Sequence, residues 1–314
     1  MKHITEKIEQ FNTIIIHGHI RPDGDCIGSQ YGLMHLIKAN YPEKKVYVTG
    51  TTSDYVSFVG SPTLVDDNVF DGALSICVDC ATGERLSDTR YTQSAYSIKI
   101  DHHIPVDNYG DYQYVDTTAP ACAQIITELY LFNKDKWIIN KEAAYALYVG
   151  ILTDTGRFKF DSVNSRTFNA AGVLVDNGAD LGDIDNHLSV ETLQTLKLKG
   201  HVLNKFKISK NGFAYVTLTR EEIDSFGVSD EDAAAQVSTI STIEGCPVWA
   251  IMLEYPGNEI RIRLRSRGPI INKLAEEYQG GGHAKASGAK LNSWDELAEF
   301  VQKADLIVEE YKKS

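Results

Sequence analysis

A chain of 314 residues, 43% hydrophobic and 24% charged, is long enough for two domains with separate cores and ordinary enough in composition to be globular. Its net charge of −12 at pH 7 excludes a general basic surface for gripping long duplexes, while leaving room for a local basic cleft. No apolar run approaches the roughly 18 to 20 residues that span a bilayer, the start MKHITEKIEQ has no apolar signal core, and the five cysteines form an odd set that suits reduced thiols. A cytoplasmic protein without a membrane role is expected.

The run Thr13-Ile14-Ile15-Ile16 has no polar alternation and reads as a parallel strand buried on both faces. Directly behind it, HGHIRPDGDCIGSQ places His17, His19, Asp23 and Asp25 before an amphipathic helix marked by Leu33, Met34, Leu36 and Ile37. Further strands are predicted at Lys45–Thr49, at Ala73–Val78, which stops at Asp79, and at Tyr96–Ile100, which stops at Asp101-His102-His103. Helices follow from about Ala119 to Leu131 and from about Lys141, the second ending at Asp154-Thr155-Gly156-Arg157-Phe158. Another covers Ser165–Asn177, with Phe168, Ala171 and Val175 expected inward. Strands alternating with helices predict an α/β fold with a parallel sheet, whose ligands sit beyond the carboxyl ends of the strands.

A charged helix over about Ser189–Leu203 reads as a connector, which divides the chain into a first domain (1–186), a connector (187–210) and a smaller C-terminal α/β domain (211–314). The second domain is expected to hold a strand at Phe213–Leu218, a helix capped by Ser229, and a hairpin from Val248–Glu254 through Pro256-Gly257-Asn258 to Glu259–Ser266. A helix over Pro269–Tyr278, the run Gly280-Gly281-Gly282-His283 and a last helix follow, the last started by a Ser293/Glu296 capping box.

His19, Asp23, Asp25, Asp79, His102 and Asp154 each stand at the end of an apolar element. Carboxylates and imidazoles without a thiolate favour Mn2+ or Mg2+, with zinc or cobalt also admissible. Six ligands exceed what one ion needs, and a shared carboxylate would give two ions roughly 3.5 to 4 Å apart, the arrangement that clamps an in-line phosphoryl displacement. Singly, each residue would be a turn, a helix cap or a satisfied core group. Together they are a site. Cys77 and Cys80 have CxxC spacing without a second pair, so they read as small residues at a strand end rather than a zinc site.

In order, H-x-x-x-D-x-D (His19, Asp23, Asp25), the lone Asp79 in CVDC, Asp101-His102-His103 and Asp154 in GILTDTGRF resemble the DHH phosphoesterase superfamily. HIRPDGDCIGS, TDTGRF, RSRG and GGGHAKASG resemble its NrnA-type nanoRNase and pAp-phosphatase branch, so that the resemblance covers nearly the whole chain. It implies one metal held by His19, Asp23 and Asp79, and another by Asp25, Asp79, His102 and Asp154, with Asp79 bridging. His103, Asp101 and Asp79 would be catalytic, His103 facing the substrate phosphate and Asp101 fixing a histidine tautomer. Whether His17 or His19 coordinates stays open, with the motif spacing favouring His19.

In Arg261-Ile262-Arg263-Leu264-Arg265-Ser266-Arg267, alternation would project four guanidinium groups from one strand face, a phosphate-binding stripe unless acidic neighbours neutralise it. Glycines followed by His283 let backbone N–H groups approach a phosphate. The resemblance makes this the DHH-associated C-terminal domain, with Arg265, Gly281, Gly282 and His283 binding substrate, Arg157 as a further phosphate clamp, and the active site in the cleft between the domains. It implies metal-dependent hydrolysis of very short oligoribonucleotides to nucleoside monophosphates, and of 3'-phosphoadenosine 5'-phosphate (pAp) to AMP. Two divalent ions, foremost Mn2+ with Mg2+ or Co2+ as alternatives, would be the cofactors. Linear dinucleotides such as pApA would join the substrates, and a homodimer is left open. A family II inorganic pyrophosphatase and a non-catalytic nucleotide sensor are the competing readings. With 16 tyrosines and 11 phenylalanines, no single base-stacking aromatic can be chosen.

Overall fold

The computed structural model describes residues 1–257 and 259–313. The chain divides into two compact units, Met1–Val190 and a second from Glu191 onward.

The first unit opens with helix α1 (Lys2–Gln10), strand β1 (Thr13–His17), helix α2 (Gly24–Asn40) and strand β2 (Lys45–Thr49). Strands β3 (Leu74–Val78), β4 (Tyr96–Asp101) and β5 (Tyr112–Val115) complete a five-stranded sheet of order β2-β1-β3-β4-β5, parallel throughout. Ile14, Ile15 and Ile16 are fully buried, as is every residue of β3, which is why these strands carry no polar alternation. The order reverses between β1 and β3, and the crevice beyond that reversal is where such sheets bind ligands. His19 and Asp79 stand there.

Helices α3 (Cys122–Phe132), α4 (Lys141–Asp154), α5 (Ser165–Asp176) and α6 (Leu181–Ser189) complete the unit. Helices α2 and α4 approach at Gly28 and Gly150, where a Cβ on Gly28 would lie 2.5 Å from the Ala146 carbonyl oxygen. A Cβ on Gly150 would lie 2.9 Å from Asp25 Oδ1, so only glycine brings the two ligand-bearing helices this close. Helix α5 differs from expectation in the face it buries. Ala170, Ala171 and Leu174 point inward, whereas Phe168 and Val175 are exposed. Small residues fit the close packing, and the Phe168 ring stacks on Phe158 instead, 5.3 Å between centroids.

The second unit begins with helix α7 (Leu193–Lys205), which is no free connector, because Leu198 and Val202 are fully buried in a core with Ala214 and Ile251. Its sheet has the order β10-β11-β9-β8-β7-β6, with only the β7–β8 pair parallel. The strands are β6 (Lys207–Ile208), β7 (Phe213–Leu218), β8 (Val248–Tyr255), β9 (Glu259–Ser266), β10 (Gly281–His283) and β11 (Ala286–Leu291). The expected hairpin is β8–β9, with Asn258 of its turn outside the described residues. The glycine run is an edge strand rather than a free loop. A Cβ on Gly280 would lie 1.9 Å from the Gly288 carbonyl oxygen.

Helices α8 (Arg220–Phe226), α9 (Asp230–Ala235), α10 (Asn272–Glu277) and α11 (Leu297–Lys313) cover this sheet. The box ahead of α11 forms out of step with expectation: Ser293 accepts from the Asp295 N–H, and the Glu296 carboxylate accepts from the Asn292 N–H at 2.9 Å. All five cysteines are buried and unbridged. No helix among the described residues is long and apolar enough to cross a membrane.

Candidate metal centre

Three strand ends and two helices deliver the ligand-type side chains. Past β1, the His19 ring approaches the Ile20 carbonyl oxygen through Nδ1 at 2.9 Å and points Nε2 at Asp23 Oδ1 (3.8 Å) and Asp79 Oδ2 (3.5 Å). Past β4, His102 approaches the Ala119 carbonyl oxygen through Nδ1 at 3.2 Å and points Nε2 at Asp79 Oδ1 (3.3 Å), Asp154 Oδ2 (3.4 Å) and Asp25 Oδ2 (3.8 Å). A carbonyl can only accept, so each Nδ1 carries a proton; each Nε2 shares a second proton with the carboxylates when no ion is bound and gives its lone pair to a metal once that proton leaves.

The carboxylates are held as firmly. Asp23 caps α2, its Oδ1 accepting from the Asp25 and Cys26 N–H groups at 3.1 and 3.0 Å. Asp25 is 1% exposed and accepts from the Cys122 and Ala123 N–H groups at 2.5 and 2.9 Å. It therefore caps α3 across the fold, where Ala121 offers no capping side chain. Asp79 follows β3 in the left-handed region at φ 55°, and its Oδ1 is buried with no hydrogen-bond partner. It stands between the His19 and His102 groups. Asp154 ends α4.

Electrostatics then ask for cations. Burial first, and next the charges of Asp79 and Asp154, push Asp25 well above the usual carboxylate range. Burial and Asp79 push Asp154 up to about 6. Against burial, the nearby Asp23 and Asp79 carboxylates raise His19, and contacts with Asp79, Asp25 and Asp154 raise His102 to about 10. Carboxylates crowded in a dry site hold protons unless a positive charge replaces them. The orphaned Asp79 oxygen and the Nε2 lone pairs fit divalent ions as that charge. Ligand atoms lie within 4.8 Å of one another in three trios, His19/Cys26/Asp79, Asp79/His102/His103 and Asp25/His102/Asp154.

His103 differs from its neighbour. Its Nδ1 lies 2.8 Å from Asp101 Oδ1, which also accepts from its backbone N–H, and its side chain is 42% exposed. Behind Asp101 lies Lys99, wholly buried, whose Nζ is 3.4 Å from Asp101 Oδ2 and donates to the Ala81 carbonyl oxygen at 2.8 Å. His17 is not part of the centre: its nitrogens lie 2.9 Å from Ser75 Oγ and 3.0 Å from the Asp88 carbonyl oxygen, and burial lowers its pKa to about 4. Cys77 and Cys80 are core residues, the Cys80 thiol donating to the Thr82 carbonyl oxygen at 3.1 Å.

Arg157 is engaged by Asp185 at 2.6 Å, by Ser189 at 2.8 Å and by the Leu188 carbonyl oxygen at 3.2 Å, which takes three of its five N–H donors. In the second unit the arginine stripe divides. Arg261 is paired with Glu259 and lies over the Tyr255 ring. Arg267 falls beyond the end of β9, donating to the Ile243 carbonyl oxygen. Arg263 and Arg265 remain on the strand face, and no carboxylate among the described residues pairs with either. Burial and the like charge of Arg263 disfavour the Arg265 cation, a cost an anion would relieve. Gly281, Gly282 and His283 line the edge strand β10, with His283 exposed.

Sequence reading passed over Lys99, Cys26 and Tyr55. The first had a signal, a lysine inside the otherwise apolar run YSIKI; the second lay inside the motif itself. Tyr55 had none: it is exposed, and both Arg157 and Asp23 act electrostatically on its hydroxyl.

A parallel sheet carrying these motifs at its carboxyl edge defines a class, and residues 13–151 match the DHH family, N-terminal domain, while residues 210–310 match the DHHA1 domain. The chain belongs to the DHH family. It is 39% identical over 306 residues, 97% of each chain, to the Bacillus subtilis (strain 168) protein named bifunctional oligoribonuclease and PAP phosphatase NrnA. A Mycoplasma genitalium protein of the same name is 34% identical, over 94% of this chain and 93% of its own. Among solved structures, an exopolyphosphatase-related protein from Bacteroides fragilis superposes with a TM-score of 0.84 at 28% identity, over 99% of this chain and 96% of that one.

Proposed function

We propose that this chain hydrolyses very short oligoribonucleotides to nucleoside monophosphates and pAp to AMP, with linear dinucleotides such as pApA among its substrates. The observation that carries the reading is Asp79, a buried carboxylate between two ligand groups with one oxygen left unpartnered, in a chain similar along its length to proteins named for those activities. His19, Asp23 and Asp79 would hold one divalent ion, and Asp25, Asp79, His102 and Asp154 the other. Mn2+ is foremost because the donors are mainly oxygen and imidazole nitrogen. Bound there, the ions supply positive charge to the phosphoryl oxygens and to the attacking water.

The remaining work belongs to side chains. Asp101 accepts from Nδ1–H of His103 and so fixes the ring with Nε2 turned to the substrate; Nε2 would donate to a phosphate oxygen in the doubly protonated ring, the second proton coming from solvent or substrate. Arg265, whose Nη1 donates to the Leu264 and Ser287 carbonyl oxygens at 2.9 and 3.4 Å, would offer its remaining guanidinium donors to a second phosphate with Arg263 beside it, and the Gly281–Gly282 backbone and His283 add further donors. Arg157 would join them with its remaining donors. The first unit would thus carry hydrolysis and the second would grip substrate. Unbridged cysteines fit a reducing compartment, and we place the activity in the cytoplasm.

The test is product analysis on 5'-labelled RNAs from dimer upward, with pAp and pyrophosphate alongside and Mn2+ varied. Metal-dependent release of monophosphates from the shortest RNAs, and of AMP from pAp, is expected. Faster cleavage of pyrophosphate than of pAp would overturn the assignment.

A further inference from the structure

We propose that Cys26 is a thiolate ligand to the ion on the His19 side of the centre, making that half a mixed nitrogen, oxygen and sulfur site that takes Co2+ or Zn2+ in preference to Mg2+. The inference rests on the metal-centre reading above and goes beyond it, since the ligand set assigned there contains no sulfur. Cys26 lies in the first turn of α2, one residue after Asp25, with its backbone N–H held by Asp23 Oδ1 at 3.0 Å. Its side chain is wholly buried, and its ligand atom lies with those of His19 and Asp79 inside a 4.8 Å group.

Two further observations bear on Cys26. Cys80 and Cys122 spend their S–H on backbone carbonyls, those of Thr82 at 3.1 Å and Ile100 at 3.3 Å. The acceptor recorded for Cys26 outside the centre is Gln30 Oε1, at 4.0 Å, the outer limit for sulfur. Asp79, 2% exposed, turns Oδ2 toward His19 at 3.5 Å, while its Oδ1, 3.3 Å from His102 Nε2, has no hydrogen-bond partner, so the carboxylate that the trio shares is one the protein leaves partly unsatisfied. The companion trio of Asp25, His102 and Asp154 has only oxygen and nitrogen. The two halves therefore differ in softness, and a thiolate favours the softer ions. On binding, the sulfur–metal bond replaces S–H, and the proton passes to solvent.

The experiment is a Co2+ titration of the full metal-free chain, read by absorption, in the wild type and in the Cys26→Ser and Cys80→Ser variants. The wild type should show visible d–d bands together with a near-ultraviolet sulfur-to-cobalt charge-transfer band. Cys80→Ser should keep both, and Cys26→Ser should keep the d–d bands and lose the charge-transfer band. Zn2+ affinity should fall by about tenfold or more in Cys26→Ser, with Mn2+ affinity nearly unchanged. d–d bands without charge transfer in the wild type, or a charge-transfer band that survives in Cys26→Ser, would overturn the assignment of Cys26 alone. Absence of both bands would overturn it together with the metal-centre reading.

Discussion

Replacing Lys99 by methionine keeps the length and the apolar stem of the side chain and deletes only the ammonium. Lys99 and Asp101 are both wholly buried, their charges 3.4 Å apart, and Asp101 Oδ2 has no hydrogen-bond partner. Removing one partner of a buried ion pair costs about 3 to 5 kcal/mol, because the other charge is left uncompensated. Asp101 Oδ1 keeps the His102 and His103 N–H groups and His103 Nδ1, so the low end, about 3 kcal/mol, is expected. With a urea dependence of roughly 1 to 3 kcal/mol/M, that loss moves the midpoint of the first unit down by about 1 to 3 M. Circular dichroism across a urea series reads it directly. The double variant Lys99→Met/Asp101→Asn should recover part of the loss, since the stranded charge is gone. A loss under about 1 kcal/mol, or strict additivity in the double variant, would refute the idea that Lys99 compensates Asp101 beneath the DHH motif.

Asp79→Asn should cut metal-dependent turnover by at least about 100- to 1,000-fold with an unchanged circular dichroism spectrum, because one charge shared by both ligand groups is lost; full turnover at saturating Mn2+ would sink the shared-ligand assignment. Arg265→Ala should raise KM for pAp about 10- to 150-fold with kcat nearly held, the worth of one charge-assisted hydrogen bond, and unchanged kinetics would return the strand face to a solvated surface. Above about pH 6.5 the metal-free chain should lose stability as pH rises, whereas between about 4 and 6.5 the lowered pKa of His17 works in the opposite direction. Asp154 binds its proton between the ordinary 3.8 and about 6 only when folded, and His102 does so between 6.5 and about 10, so in both windows the folded state gives up its advantage as the proton leaves. Urea midpoints at pH 7 and pH 9, both above the His17 window, should fall in that order without metal, and saturating divalent ion should reverse the trend.

The centre was legible because its ligands are local punctuation. A buried strand has to end where polar groups begin, so His19, Asp79 and His102 announce themselves as breaks in apolar runs. Long-range partners leave no such mark. Nothing in the spacing says that Asp25 caps α3 ninety-seven residues later, or that Arg157 is taken by Asp185. Periodicity also weighs large apolar residues over small ones, which is why Phe168 and Val175 stood in for Ala170 and Leu174 on α5. The arginine stripe was readable as alternation, but the neutralising Glu259 and the end of the strand at Ser266 decide which guanidinium groups are left without a carboxylate. Likewise α7 read as a linker on its charges, while its few apolar positions were enough to seat it in the second core.

The glycine contact between α2 and α4 has a consequence for how this centre can vary. Asp25 rides on one helix and Asp154 on the other, and backbone meets backbone where they cross. Side chains in a looser packing can be exchanged to slide one ligand toward another by fractions of an ångström. At Gly28 a Cβ would meet only the backbone of Ala146 and Gly150, with Thr153 and Leu147 packed on Gly24 and Gly32 to either side, so the crossing itself has no side chain to exchange. The spacing of Asp25 and Asp154 acts as a fixed gauge, so if the proposed ions are held there, adaptation to an ion of another size has to come from His19, Asp79 and His102, or from moving a whole helix.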